Sequence, residues 1–168
     1  VRCITSRGIM SKPDIVLLGD SHAEHLLPGL SSSLSDFNIV SLTTSGAPFA
    51  ENLNRNGIFN YLESLNTPPR IIIFTMHYLG MLSALPIGSS YELEVEKVLQ
   101  ELEHLNTDIL LVSDVPRFVI HPRRCKINFT ERQSYRLCQK SRASHNLESY
   151  QYLYDLKRLS IKRGLRLI

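Results

Sequence analysis

Long apolar runs are missing from this sequence: none reaches the roughly 18 residues needed to cross a bilayer, and the N-terminal residues lack the apolar core of a secretion signal. The residues as they stand read as a soluble domain, with any export signal or membrane anchor expected outside them. Excess charge is missing too. A formal net charge of +3, with basic residues dispersed except at Arg117 to Arg124 and Lys157 to Arg166, excludes the concentrated cationic surface that nucleic-acid binding requires. Cysteine is scarce, with three residues at positions 3, 125 and 138. No Cys-x-x-Cys or His-x-x-x-His accompanies them, which excludes the usual zinc patterns. No repeat or low-complexity tract is visible. What is present is a chain of 168 residues, 43% hydrophobic, the size and composition of one globular domain with a substantial core.

Short apolar runs alternate with helical patterns. Asp14 to Leu18 reads as a strand, followed by a helix with Leu26, Leu27 and Leu30 on one face. Asn38 to Leu42 reads as a second strand ending in the turn-rich Thr43-Thr-Ser-Gly-Ala-Pro48, and Ile58 to Leu65 as part of a helix stopped by Pro68 and Pro69. Arg70 to Thr75 is a continuous β-branched and aromatic run of the kind buried on both faces. Tyr91 to Leu105 places leucine and valine at near-helical spacing between Glu and Lys, Asp108 to Ser113 reads as a fourth strand, Leu147 to Lys162 as a helix and Leu165 to Ile168 as the start of a fifth strand. This order predicts an α/β, flavodoxin-like three-layer α/β/α domain over residues 1–168, with a mostly parallel sheet of about five strands in the order 2-1-3-4-5. Ligands of such folds sit beyond the carboxyl ends of the strands, where the strand order reverses. Ser21, Gly46, His77 and Asp114 fall on that edge. Residues 116–144 form the one long irregular segment, and loops of that length are usually functional or stapled.

The apolar run of the first strand stops at Gly19-Asp20-Ser21-His22, and a helix pattern begins at once. Ser21 is the candidate nucleophile, with the N–H groups of a helix start beside it to hold an oxyanion. Asp20 supports the turn; the alternative is that Asp20 or Ser21 simply caps the helix. Gly46 offers a second N–H, because glycine lets the backbone approach a substrate closely, or else it only makes a turn before Pro48. His22 and His25 lie along the helix and are poorly placed to take the Ser21 proton, while His77, at a strand end, is either a site contact or a partly buried structural residue. His104 reads as a solvated helix end. His121 and His145 flank the segment bounded by Cys125 and Cys138. Those two cysteines are the candidate disulfide pair, worth about 3 kcal/mol on a loop-entropy model, with reduced thiols as the alternative.

Gly-Asp-Ser-His followed by Ala-Glu-His-Leu-Leu-Pro-Gly-Leu30 resembles block I of the SGNH (GDSL-like) hydrolases, in the form carried by acyltransferase-3 membrane proteins that O-acetylate bacterial polysaccharides. Gly46 stands at the place of the family's block II glycine. The resemblance implies an acyl-serine at Ser21, an oxyanion hole from the Ser21 and Gly46 backbone, and substrate or site contacts from His22 and His77. It implies no metal and no cofactor bound by this domain; the acetyl donor, ultimately acetyl-CoA, is handled by a transmembrane partner domain on the same polypeptide. The implied setting is the periplasmic face of the bacterial inner membrane, which favours the Cys125–Cys138 disulfide, and the implied acceptor is a surface glycan such as lipopolysaccharide O-antigen. Two motifs depart from the family. The Gly-x-Asn-Asp block is replaced by Thr75-Met-His77-Tyr78, so His77 is the candidate substitute donor, and no Asp-x-x-His occurs. Since the last residues begin an apolar run about where the final strand starts, the expectation is that the Asp-x-x-His lies beyond Ile168, along with a partner for Cys3. A degenerate relative is the alternative. A carbohydrate O-acetyl esterase and a non-catalytic glycan-binding module are the rival functions.

Overall fold

A computed structural model describes residues 2–8, 12–113 and 141–168. Its strands are β1 (Arg2–Thr5), β2 (Ile15–Gly19), β3 (Ile39–Thr43), β4 (Ile71–Thr75), β5 (Asp108–Leu111) and β6 (Arg166–Leu167). The helices are α1 (Ser21–Ser33), α2 (Ala50–Arg55), α3 (Ile58–Glu63), α4 (Tyr91–Leu102) and α5 (Arg142–Arg163), with 3-10 turns at Leu79–Ala84 and Glu103–Leu105.

The sheet order is β1-β3-β2-β4-β5-β6. From β3 to β6 every pairing is parallel, and this part has the order anticipated from the alternating runs. The addition is β1, which pairs antiparallel with β3 and aligns Arg2 with Thr43. Four residues, two of them exposed, carry too little apolar patterning to announce a strand.

Both faces of the sheet are covered. All five residues of β2 and of β3 are buried, as continuous apolar runs in parallel sheets require. Alternate residues nevertheless enter different cores: Ile15, Leu17, Ile39 and Ile73 meet Ala23 and Leu27 of α1. Val16, Leu18, Val40, Ile72 and Phe74 meet residues of α2 to α5. Helix α1 returns the chain from β2 to β3 on one face, and the later crossovers use the other. The order thus reverses between β2 and β4, where Gly19 is paired with Thr75.

The helices differ from expectation at their ends. Helix α2 was not anticipated; it buries only Leu53, and Asn52 holds its start by donating to the Ala47 carbonyl at 2.9 Å. Helix α5 begins at Arg142 rather than Leu147, because Ser141 accepts the Ser144 N–H at 3.0 Å as its cap. Strand β5 ends at Leu111, two residues short of the expected Ser113. Among the described residues no helix is long and apolar enough to cross a membrane.

Candidate functional site

The site begins with a close approach of backbone. A Cβ on Gly19 would lie 1.8 Å from the Thr75 carbonyl oxygen, and Gly19 has φ +154°, so only glycine lets β2 end against β4 in this way. The Gly19 carbonyl accepts the Thr44 N–H at 3.0 Å, which draws the loop after β3 to the same point. Asp20 follows as the buried N-cap of α1. One of its oxygens accepts the His22 N–H at 2.8 Å and the other the His77 N–H at 2.8 Å. Capping and support of the turn, considered separately from sequence, are thus one arrangement. Ser21 is the first residue of α1 and is exposed.

Gly46 lines the same cleft as Ser21, from the loop after β3. Its φ of +106° is one that side-chain-bearing residues rarely adopt. The Thr44 hydroxyl donates to its carbonyl at 3.2 Å. Among the described residues, no acceptor is bonded to the Ser21 or Gly46 N–H. The N-terminal end of α1 adds its positive dipole end on the Ser21 side.

His77 comes from the β4 end, and its imidazole stacks on that of His22 with centroids 4.5 Å apart and planes 14° apart. His22 in turn lies 5.8 Å from the ring of His25. A Cβ on Gly80 would approach His77 Nδ1 to 2.3 Å, so this glycine makes room for the ring. The next residue, Tyr78, is fully buried: its ring stacks on Tyr152 at 4.9 Å, and the Tyr91 hydroxyl donates to its carbonyl. The β4 loop is therefore held by Asp20 on one side and by a tyrosine cluster on the other.

These pieces surround a cleft of about 350 Å³ lined by Asp20, Ser21, Thr44, Ser45, Gly46 and His77, and also by Arg2, Glu24, Thr43 and Met81. The candidates Ser21, Asp20, Gly46 and His77 thus share one cavity, with His22 stacked against His77. Arg2, Glu24, Gly80 and Met81 were not singled out from sequence. Arg2 reaches the cleft only through the unanticipated β1, while Glu24 was discoverable as the residue one helical turn after Ser21. His104 lies 3.3 Å from Glu63, and His145 Nδ1 lies 3.2 Å from the Ser149 hydroxyl on its own helix. Cys3 stands on β1 opposite Leu42, its thiol pKa raised by partial desolvation. Asp114, His121 and the candidate pair Cys125 and Cys138 lie outside the described residues. Among the described residues, no group of three or more His, Cys, Asp or Glu side chains is arranged to hold a metal ion, and no imidazole is hydrogen-bonded to Ser21 Oγ.

An exposed serine at a helix start, sharing its cleft with a glycine of a second loop, suits acyl transfer through a tetrahedral oxyanion. Comparison with curated proteins and with solved structures gives no match. One family model does match, over residues 1–168: the SGNH domain fused to AT3 domains. The strand order, the Gly19-Asp20-Ser21-His22 turn and this end-to-end match agree, and the chain belongs to the SGNH family, as the domain found joined to acyltransferase-3 (AT3) domains.

Proposed function

We propose that this domain carries an acetyl group on Ser21 Oγ and passes it to a hydroxyl of a cell-surface polysaccharide, such as lipopolysaccharide O-antigen, on the periplasmic face of the inner membrane. The observation that supports the reading is the cleft at the β2/β4 reversal, which Ser21 and Gly46 both line and where, among the described residues, neither N–H has a bonded acceptor. Ser21 Oγ attacks the acetyl carbonyl, its proton passes to a base, and the tetrahedral oxyanion is held by the two N–H groups. Collapse expels the donor's leaving group. The acceptor hydroxyl then attacks the acetyl-serine, and Ser21 recovers a proton.

The base in this reading is the histidine of the Asp-x-x-His that the family resemblance implies, placed C-terminal to β6. Strand β6 pairs parallel with β5, so its carboxyl end lies on the Ser21 edge. His77, at the position of the missing Asn, supplies the side-chain donor. The acetyl donor, ultimately acetyl-CoA, reaches Ser21 through the fused AT3 domain, and this domain holds no cofactor of its own. Because Ser21 is exposed, water competes with the sugar as acceptor, and esterase activity is expected as a side reaction.

The test uses the full-length protein in membranes, with acetyl-serine detected by peptide mass and glycan acetylation measured alongside. Ser21→Ala should remove the adduct and lower acetylation by about 10⁴-fold or more while leaving thermal unfolding unchanged. Full acetylation by the Ser21→Ala protein would overturn the proposal.

A further inference from the structure

The cleft has a second side that the acyl chemistry leaves unused. Glu24 stands one helical turn after Ser21 and lines the same cavity. Its carboxylate receives Arg2 Nη1 at 3.1 Å and the Thr43 hydroxyl at 3.4 Å. The β1–β3 register sets Arg2 directly opposite Thr43 and on the same sheet face, so one strand pairing holds both partners of the Glu24 carboxylate, which comes from α1. The Arg2 side chain is 71% exposed and that of Glu24 20%, so the guanidinium forms the rim and the carboxylate lies beneath it.

From this pair we infer that Arg2 and Glu24 form the acceptor subsite, and that it takes a neutral sugar face carrying two adjacent hydroxyls. The inference deepens the acetyl-transfer reading and rests on it. Arginine has five N–H donors, of which the ion pair engages few, and a carboxylate accepts from several directions at once. A donor and an acceptor side by side match a vicinal diol, in which each hydroxyl both donates and accepts. Such bonds to ionised groups are stronger than neutral ones. The charge balance sets the class. Among the described residues lining the cleft, Arg2 is the one Lys or Arg and stands against two carboxylates, Asp20 and Glu24, so these residues offer a uronate or phosphate no net attraction. Asp20 is buried, with each oxygen already accepting a backbone N–H, which leaves Glu24 as the more accessible carboxylate for the sugar. Met81 supplies an apolar wall for the sugar's C–H surface. A diol held on Arg2 and Glu24 directs a neighbouring hydroxyl at acetyl-Ser21: its oxygen bonds to the acetyl carbon, its proton goes to the base, and the carbon–Oγ bond breaks as Ser21 is reprotonated.

The full-length protein is loaded from p-nitrophenyl acetate, and acetyl-Ser21 is partitioned between water and a panel of neutral methyl hexopyranosides or their uronic acid counterparts. Neutral sugars should compete with water at least about tenfold better than uronates. Arg2→Ala, and separately Glu24→Gln, should each lower the sugar-to-water partition about tenfold or more. Arg2→Lys keeps the ion pair but loses the planar fork, and should lower the partition as well. Loss of structure alone reduces acetyl-Ser21 formation without moving the partition. Unchanged partition in all three variants, or preference for uronates, overturns this inference alone. Absence of acetyl-Ser21 in the unaltered protein overturns the serine reading and this inference with it.

Discussion

The carboxylate of Asp20 takes one backbone N–H from His22 and one from His77, each at 2.8 Å, and so joins the start of α1 to the end of β4 across the point where the strand order reverses. Asp20→Asn offers an acceptor on one side only and turns an NH₂ group towards the other N–H. We expect a stability loss of about 2 kcal/mol in chemical denaturation, together with slower acetyl-Ser21 formation. An unchanged denaturation midpoint would show that neither bond matters to the fold.

Gly19→Ala tests the backbone approach beside it. The added methyl would meet the Thr75 carbonyl at 1.8 Å, a contact with main chain that no rotamer relieves. Destabilisation of about 3 kcal/mol is expected in urea unfolding. By contrast, nothing lies within 4 Å of a Cβ built at Gly29, which makes Gly29→Ala the control.

Gly80→Ala should push the His77 ring from its stack on His22, since the methyl would approach Nδ1 to 2.3 Å. If the ring is a side-chain donor to the oxyanion, His77→Ala lowers acetyl-Ser21 formation by about 100-fold and Gly80→Ala adds nothing to it. Additive losses in that double-mutant cycle would separate Gly80 from His77.

Two buried carboxylates give opposite pH signatures. Hydrogen bonding from Arg163, assisted by Lys162, holds the Glu96 pKa below its ordinary 4.5. Its stabilising effect is therefore complete above the unfolded-state value and is lost as pH falls through the lowered folded-state value. Glu96→Gln should cost about 2 kcal/mol at neutral pH, and the difference from the unaltered protein should vanish in strong acid. Thermal unfolding across pH 2 to 7, as an approximate range, reads this directly.

Asp155 is displaced the other way: burial raises its pKa above 3.8, against the opposing bond from Gln151. The folded state then binds a proton more readily than the unfolded one. A penalty is present when Asp155 is charged and is relieved as pH falls through the raised value. Asp155→Asn should accordingly stabilise the protein at neutral pH and lose that advantage in acid. A destabilised Asp155→Asn protein at neutral pH would assign greater weight to the bond from Gln151 than to burial.

Strands β2, β3 and β4 were legible because each is a short run buried almost throughout, a pattern that survives without knowledge of neighbours. Strands β5 and β6, less covered, were legible from their place in the alternation with helical patterns. Strand β1 was not, because Arg-Cys-Ile-Thr becomes a strand only through pairing with β3. Helix α2 was hidden for a related reason: two asparagines and a single buried leucine give no periodic face, and side-chain bonds around Asn52 and Asn56 replace it. At the site, Ser21 and Gly46 declared themselves by standing at strand ends. Gly80 did not, since its meaning depends on where the His77 ring lies. Arg2 was invisible for as long as β1 was.

The opposite directions of β1 and β6 have a kinetic consequence. Arg2 begins a strand that runs against its neighbour and Leu167 ends one that runs with its neighbour, so both stand on the edge that bears Ser21. A polypeptide segment continuing from either point starts on the sheet edge that bears Ser21 rather than on the opposite one. In a family joined to AT3 domains, the proposed delivery of an acetyl group to Ser21 would be an intramolecular encounter, at effective concentrations of about millimolar for a short flexible linker. Under that proposal, linker length, more than abundance in the membrane, governs how often donor and serine meet.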